Sequence, residues 1–195
     1  MTFFRNTSDA YGLVVRVIHW AMALVVFGLF GLGLWMRSLD YYSPWYQTAP
    51  DIHKSIGMIL LLFLCFRLTW RIFDQLPSDQ HLKSWERLVS KMVHWCFYAL
   101  LFAMMFAGYL IATVDGRAID VFGFISVPPI IEKKGLEDLA GLIHEYLAYG
   151  LMALAALHAG AALKHHFLDH DITLKRMWFN VSSPQPSPKE EKESP

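Results

Sequence analysis

Four runs of about twenty residues in this sequence are long enough, and poor enough in charge, to cross roughly 30 Å of hydrocarbon as helices. The first, Val17 to Met36, holds no formal charge and is bracketed by Arg16 and Arg37. The second covers residues 52–73, opening just after Asp51, with Arg67 near its far end. The third, Met92 to Val114, is uncharged and lies between Lys91 and Asp115, and the fourth, residues 139–163, contains Glu145 near its start. Each is too long for a strand and too apolar for a surface helix. The remaining composition agrees: 55% of the 195 residues are hydrophobic and 17% charged, against about a quarter charged in an ordinary soluble domain. Formal net charge is zero, which argues against a nucleic-acid partner. Cys65 and Cys96 both fall inside apolar runs, so no disulfide scaffold is expected.

These spans predict an all-α integral membrane protein, a four-helix up-down-up-down bundle with both termini on one side. No small-x-small cleavage site follows the first run, which is therefore read as a retained span. With the termini inside, the inner segments hold Arg5, Arg16, Arg67, Arg71, Lys83, Arg87, Lys91, Lys164, Lys175, Arg176, Lys189 and Lys192. The outer segments hold Arg37, Lys54, Arg117, Lys133 and Lys134. Twelve basic residues against five put the termini in the cytoplasm. Residues 1–181 are read as one transmembrane domain and residues 182–195, proline-rich and charged, as a disordered cytoplasmic tail. The apolar centre of the loop from Asp115 to Glu137 is expected along the outer membrane interface.

Ionisable groups inside spans are costly and usually mark function. His19, His53, His94, His144 and His158 lie in or at the edge of the spans. By helical rise, His19 and His158 fall toward the inner end, and His53 and His144 toward the outer end. His144 and His158 are fourteen residues apart, which places them within about 40° of one helix face and about 21 Å apart along the axis. One helix thereby offers two imidazoles to the bundle interior, one above the other, as stacked flat macrocycles would require. Zinc fits poorly, because the pairs are too far apart to share an ion and each falls short of four ligands. Imidazole on iron in an apolar sleeve fits haem.

The fourteen-residue interval recurs from His53 to Arg67, from His19 to Gly33 and from His94 to Gly108. Arginine at the inner depth can pair with a propionate carboxylate or snorkel to the interface. The glycines either admit a ring close to the backbone or let helices pack.

The stretches YGLVVRVIHWAMAL, DIHKSIGMILLLFLCFRLTWR, LVSKMVHWCFYALLFAMMFAGYLIA and IHEYLAYGLMALAALHAGAALKHHFLDHDITLKRM together resemble the bacterial cytochrome b561 family. The resemblance spans residues 10 to 177. It implies a di-haem b protein of the bacterial inner membrane. His19 and His158 would ligate the inner haem iron, and His53 and His144 the outer one. His94 is the weaker ligand candidate, facing a haem edge or propionate or packing structurally. Lys54 could neutralise an outer propionate. The resemblance further implies electron transfer to the membrane quinone pool, with ubiquinone as acceptor. His165, His166 and His94 are the candidate quinone-side residues, while His81 and His170 receive no role. The donor would be superoxide, as in a superoxide oxidase, or a periplasmic redox enzyme for which the chain acts as an electron-carrying subunit. A haem-free transporter using the histidines as a proton relay is the reading from a different class.

Overall fold

The computed structural model describes residues 3–79 and 82–178. The expected tail and His81 lie outside the described residues. Four long helices carry the fold: α1 (Leu13–Met36), α2 (Thr48–Phe73), α3 (Ser84–Thr113) and α4 (Leu136–Phe167). All four are long and apolar enough to cross a membrane. Their outward faces are apolar: Leu24 of α1 is 73% exposed and Leu157 of α4 is 72% exposed. In water such residues would make aggregating patches, whereas in a bilayer they contact lipid.

All four helices run past the expected spans. α3 begins eight residues early, at Ser84, because the polar turns before Met92 continue the helix into the interface. The Lys83 backbone N–H donates to the Glu86 carboxylate at 3.0 Å, closing the first turn. α4 starts after Gly135, whose φ of 90° suits glycine. Glu137 and Asp138 lie in its first turn and Lys164, His165 and His166 in its last, each favourable with the helix dipole.

α1 and α2 pack along each other, as do α3 and α4, and α2 also meets α3. Ile18, Met22 and Leu29 of α1 join Leu60 and Leu64 of α2 and Tyr98 of α3 in the buried core. One end of the bundle gathers the N-terminal segment, the α2–α3 connection and the C-terminal turn. The Asn6 backbone N–H donates to Asp74 at 3.0 Å, Arg5 Nε donates to the same carboxylate at 3.2 Å, and Trp70 Nε1 donates at 3.2 Å. The Asn6 amide and Gln75 exchange bonds of 2.8 Å. Gly12 is needed here, since a Cβ would stand 2.4 Å from the Phe4 carbonyl oxygen. From the other terminus, Trp20 Nε1 donates to Met177 O at 2.9 Å and Arg176 Nη1 to Ser78 O at 2.6 Å. Both ends of the described chain therefore share one end of the bundle.

At the opposite end the α3–α4 loop forms a short hairpin, β1 (Ile119–Val121) against β2 (Ile125–Val127). Three residues, 122–124, join the paired Val121 and Ile125. Phe122 and Gly123 adopt positive φ, 52° and 77°, as the central residues of a turn that the Phe124 N–H closes on the Val121 carbonyl at 3.1 Å. Ser55 pins it to α2: its hydroxyl donates to Asp120 O at 3.2 Å and accepts from the Phe122 N–H at 3.3 Å.

Candidate functional site

Two pairs of imidazoles lie inside this frame. His53 of α2 faces His144 of α4 with ring centroids 6.2 Å apart and planes at 67°. His19 of α1 faces His158 of α4 at 6.3 Å and 70°. The pairs share α4, take their second ring from α2 and from α1 respectively, and lie at opposite ends of the bundle with one geometry. Two rings joined by an N–H···N bond of about 2.9 Å would have centroids about 5 Å apart, so these are too distant to bond directly. Two metal–nitrogen bonds of about 2 Å on opposite sides of one atom would give about 6.2 Å. The spacing thus fits an iron between each pair, and the donor set, two neutral imidazoles, fits haem iron.

The outer pair is held by backbone. His144 Nδ1 lies 3.0 Å from the Met104 carbonyl oxygen, which can only accept, so Nδ1 carries the proton and Nε2 keeps its lone pair. Gly108 makes this approach possible, since a Cβ there would stand 3.1 Å from His144 Cε1 and 3.3 Å from Nδ1. Gly33 borders the partner ring, with 3.6 Å from its hypothetical Cβ to His53 Cε1. His53 Nδ1 is buried without a hydrogen-bond partner among the described residues. The glycines therefore serve the outer rings.

The inner pair is more crowded. Arg67 Nη2 donates to His19 Nδ1 at 3.1 Å, a bond that would be exchanged for an Nδ1 proton when His19 Nε2 holds iron. His94 lies 5.6 Å from His158, and Phe97 lies 5.4 Å from it on the same helix α3. Trp20 meets His19 edge-on at 5.4 Å. His94 thus shares the inner depth, but its centroid spacing to His158 falls short of the one the two main pairs have in common.

Lys54 forms an ion pair with Asp51 at 2.8 Å. His165 Nδ1 lies 3.0 Å from Asp169 and 2.9 Å from Asp171, and Lys164 holds Asp169 at 2.6 Å. Glu86, His165 and Asp169 converge. Glu86 precedes His94 by eight residues, so this cluster sits about 12 Å closer to the water than His94. His166 packs its ring on Phe167 at 4.7 Å, and His170 is exposed. Sequence reasoning missed Met104, whose contribution is a backbone oxygen, and the pairing of Arg37 with Glu145 that ties α1 to α4. The location of Glu145 beside His144 was the available signal for that pairing.

The family model described as prokaryotic cytochrome b561 matches residues 10–180. Cytochrome b561 homolog 2 of Escherichia coli (strain K12) is 44% identical over 184 residues, covering 92% of this chain and 97% of the relative. Cytochrome b561 homolog 1 of the same organism is 27% identical over 139 residues, covering 69% and 77%. Probable superoxide oxidase CybB of Yersinia pestis is 27% identical over 164 residues, covering 82% and 90%. With four membrane-spanning helices, the protein is a multi-pass protein of the bacterial inner membrane, and its family implies b-type haem and electron transfer. The chain belongs to the prokaryotic cytochrome b561 family.

Proposed function

We propose that the chain holds two b haems, the inner between His19 and His158 and the outer between His53 and His144, and conducts single electrons across the membrane to quinone. The observation that carries this reading is the repeated ring separation, 6.3 Å and 6.2 Å, at two depths of one helix. When bound, each haem supplies a centre that takes up and gives back one electron. The four imidazoles would hold the two haems and would leave oxygen and water no place on the metal. Met104 fixes the proton of His144 on Nδ1. Arg67 is the cation available to a propionate carboxylate at the inner depth, and Lys54 the one at the outer depth once released from Asp51. The basic residues of the connecting segments favour the cytoplasm for the end that gathers the termini.

His165, with Asp169 and Asp171 beside it, is suited to passing protons to the oxygens of a quinone reduced near the inner end. His166 and His94 complete the candidate quinone-side set, with ubiquinone as acceptor. For the donor we favour superoxide, in line with the name carried by the Yersinia pestis relative. One observation supports a second reading, a periplasmic redox protein as donor: Lys54 and Arg117 are paired with Asp51 and Asp115, which weakens the field that would attract a small anion. The ring spacing counts against a haem-free relay built on direct imidazole-to-imidazole hydrogen bonds.

Stopped-flow mixing of the oxidised, haem-loaded protein with superoxide separates the two donors. Fast haem reduction, followed by reoxidation on adding ubiquinone, is the expected result. Reduction no faster than the spontaneous background would exclude superoxide as the donor. Failure of ubiquinone to reoxidise the haem would exclude it as the acceptor.

A further inference from the structure

Among the described residues, the end of the bundle that holds His19 and His158 carries more guanidinium charge than the acids around it answer. Arg67 and Arg71 lie one turn apart on α2, and Arg176 arrives from the turn Lys175–Met177. All three bear on the Tyr11 hydroxyl, which burial pushes up while Arg71, Arg176 and Arg67 pull it down and Asp79 adds to the rise. Asp79 is itself engaged by Arg87 at 3.5 Å and Lys91 at 3.6 Å. Among the described residues none of the three arginines has an ion pair. Arg67 rests on His19, Arg71 lies 6.0 Å from the Tyr98 ring centre, and Arg176 Nη1 takes the Ser78 carbonyl. Arg176 Nε is buried with no hydrogen-bond partner among the described residues. Arg67 Nη2 lies 3.1 Å from His19 Nδ1, and Trp20, next to His19, bonds the carbonyl of Met177, next to Arg176, so the cluster adjoins the inner pair.

Half-buried guanidinium groups without an anion are costly, and the planar fork of arginine matches an oxyanion with two oxygens. We infer that Arg71 and Arg176, with Arg67, form a carboxylate cage that takes the propionates of the inner haem, fastened by the C-terminal turn. This rests on the two-haem reading. Arg67 alone was legible as a propionate partner from spacing. Arg71 and Arg176 come together only because the chain returns to the Ser78 carbonyl after α4.

An anionic lipid phosphate offers the same chemistry at this depth, so the test separates the two sources. Full-length wild type, Arg71→Gln/Arg176→Gln, Arg71→Lys/Arg176→Lys and Arg87→Gln are purified into bilayers with and without anionic lipid. Haem per chain and the potential of each haem are then measured. The cage predicts that the glutamine pair lowers inner-haem occupancy about tenfold and shifts the remaining inner potential downward in either bilayer. The outer haem stays in place and reports an intact fold. The lysine pair should fall between wild type and the glutamine pair, and Arg87→Gln should match wild type.

Inner occupancy and potential unchanged in the glutamine pair would overturn the cage. So would a wild-type inner potential that follows anionic lipid content, with that dependence lost in the glutamine pair while its haem is kept. If the glutamine pair loses both haems, the lysine pair decides: partial inner loss with the outer haem kept supports the cage, and wild-type behaviour overturns it. Wild type carrying fewer than two haems would instead sink the reading on which the cage rests.

Discussion

The outer and inner histidine pairs share a ring geometry and differ in almost everything around it. At the outer pair, neutral backbone does the positioning: Gly108 opens the way to the Met104 carbonyl, and Gly33 borders His53. The nearby lysine, Lys54, is spoken for by Asp51. At the inner pair, side chains crowd in, with Arg67 on His19, His94 and Phe97 on His158, and two further arginines behind. Rigid helices set the spacing of each pair, while its surroundings set its charge. Cations stabilise an added electron, so the inner centre is expected at the higher potential, favouring flow from outer to inner.

The largest effect is expected at the four histidines proposed as ligands. His144→Ala should abolish the outer haem signal and leave the inner, and His158→Ala should do the reverse, read as haem per chain. Retention of both haems in either variant would break the pairing.

Next comes the glycine contrast. At Gly108 a Cβ would lie 3.1 Å from the His144 ring, whereas at Gly33 the nearest ring atom is 3.6 Å away. Gly108→Val should therefore weaken outer-haem retention about tenfold or more, through strain of at least 1–2 kcal/mol. Gly33→Ala should leave retention unchanged and raise thermal stability by up to about 1 kcal/mol through helix propensity. Equal retention in the two variants would remove backbone positioning as the difference between the sites.

The four spans were legible because a bilayer demands long uncharged runs, and the depth and phase of the histidines because helix geometry is stiff. The charged beginning of α3 was missed, since hydropathy sees only the buried part of a helix. The hairpin was missed because three-residue strands carry no period and Phe122-Gly123 is an unusual turn pair. Gly33 and Gly108 were legible as interior positions, but not as neighbours of the outer rings, which depends on how the helices dock. The Met104 oxygen and the return of Arg176 are tertiary facts with no local signature.

A stability prediction concerns the end that gathers the termini. Burial alone would raise the Asp74 carboxyl, yet hydrogen bonds from the Asn6 backbone, Arg5 and Trp70 outweigh it and hold the group below the usual range. A carboxyl depressed by folding stabilises fully above its unfolded value of about 3.9 and loses that contribution as pH falls through the folded value. Asp74→Ala should cost about 2 kcal/mol at neutral pH and less near about pH 3, measured by thermal unfolding in detergent. A pH-independent cost would show that the charge of Asp74 is not what matters.

The smallest effect tests the cations. Lys54→Ala should change stability by less than about 0.5 kcal/mol, since its partner is exposed, and should disturb outer-haem occupancy less than Arg67→Ala disturbs the inner. The opposite order would place the stronger propionate contact at the outer site.

The most direct measurement is the haem-to-protein ratio of the purified chain, taken with its reduced absorbance spectrum. Two low-spin b haems per chain is the result that follows from twin imidazole pairs. A ratio of one, or a high-spin signal showing an open axial position, would contradict it.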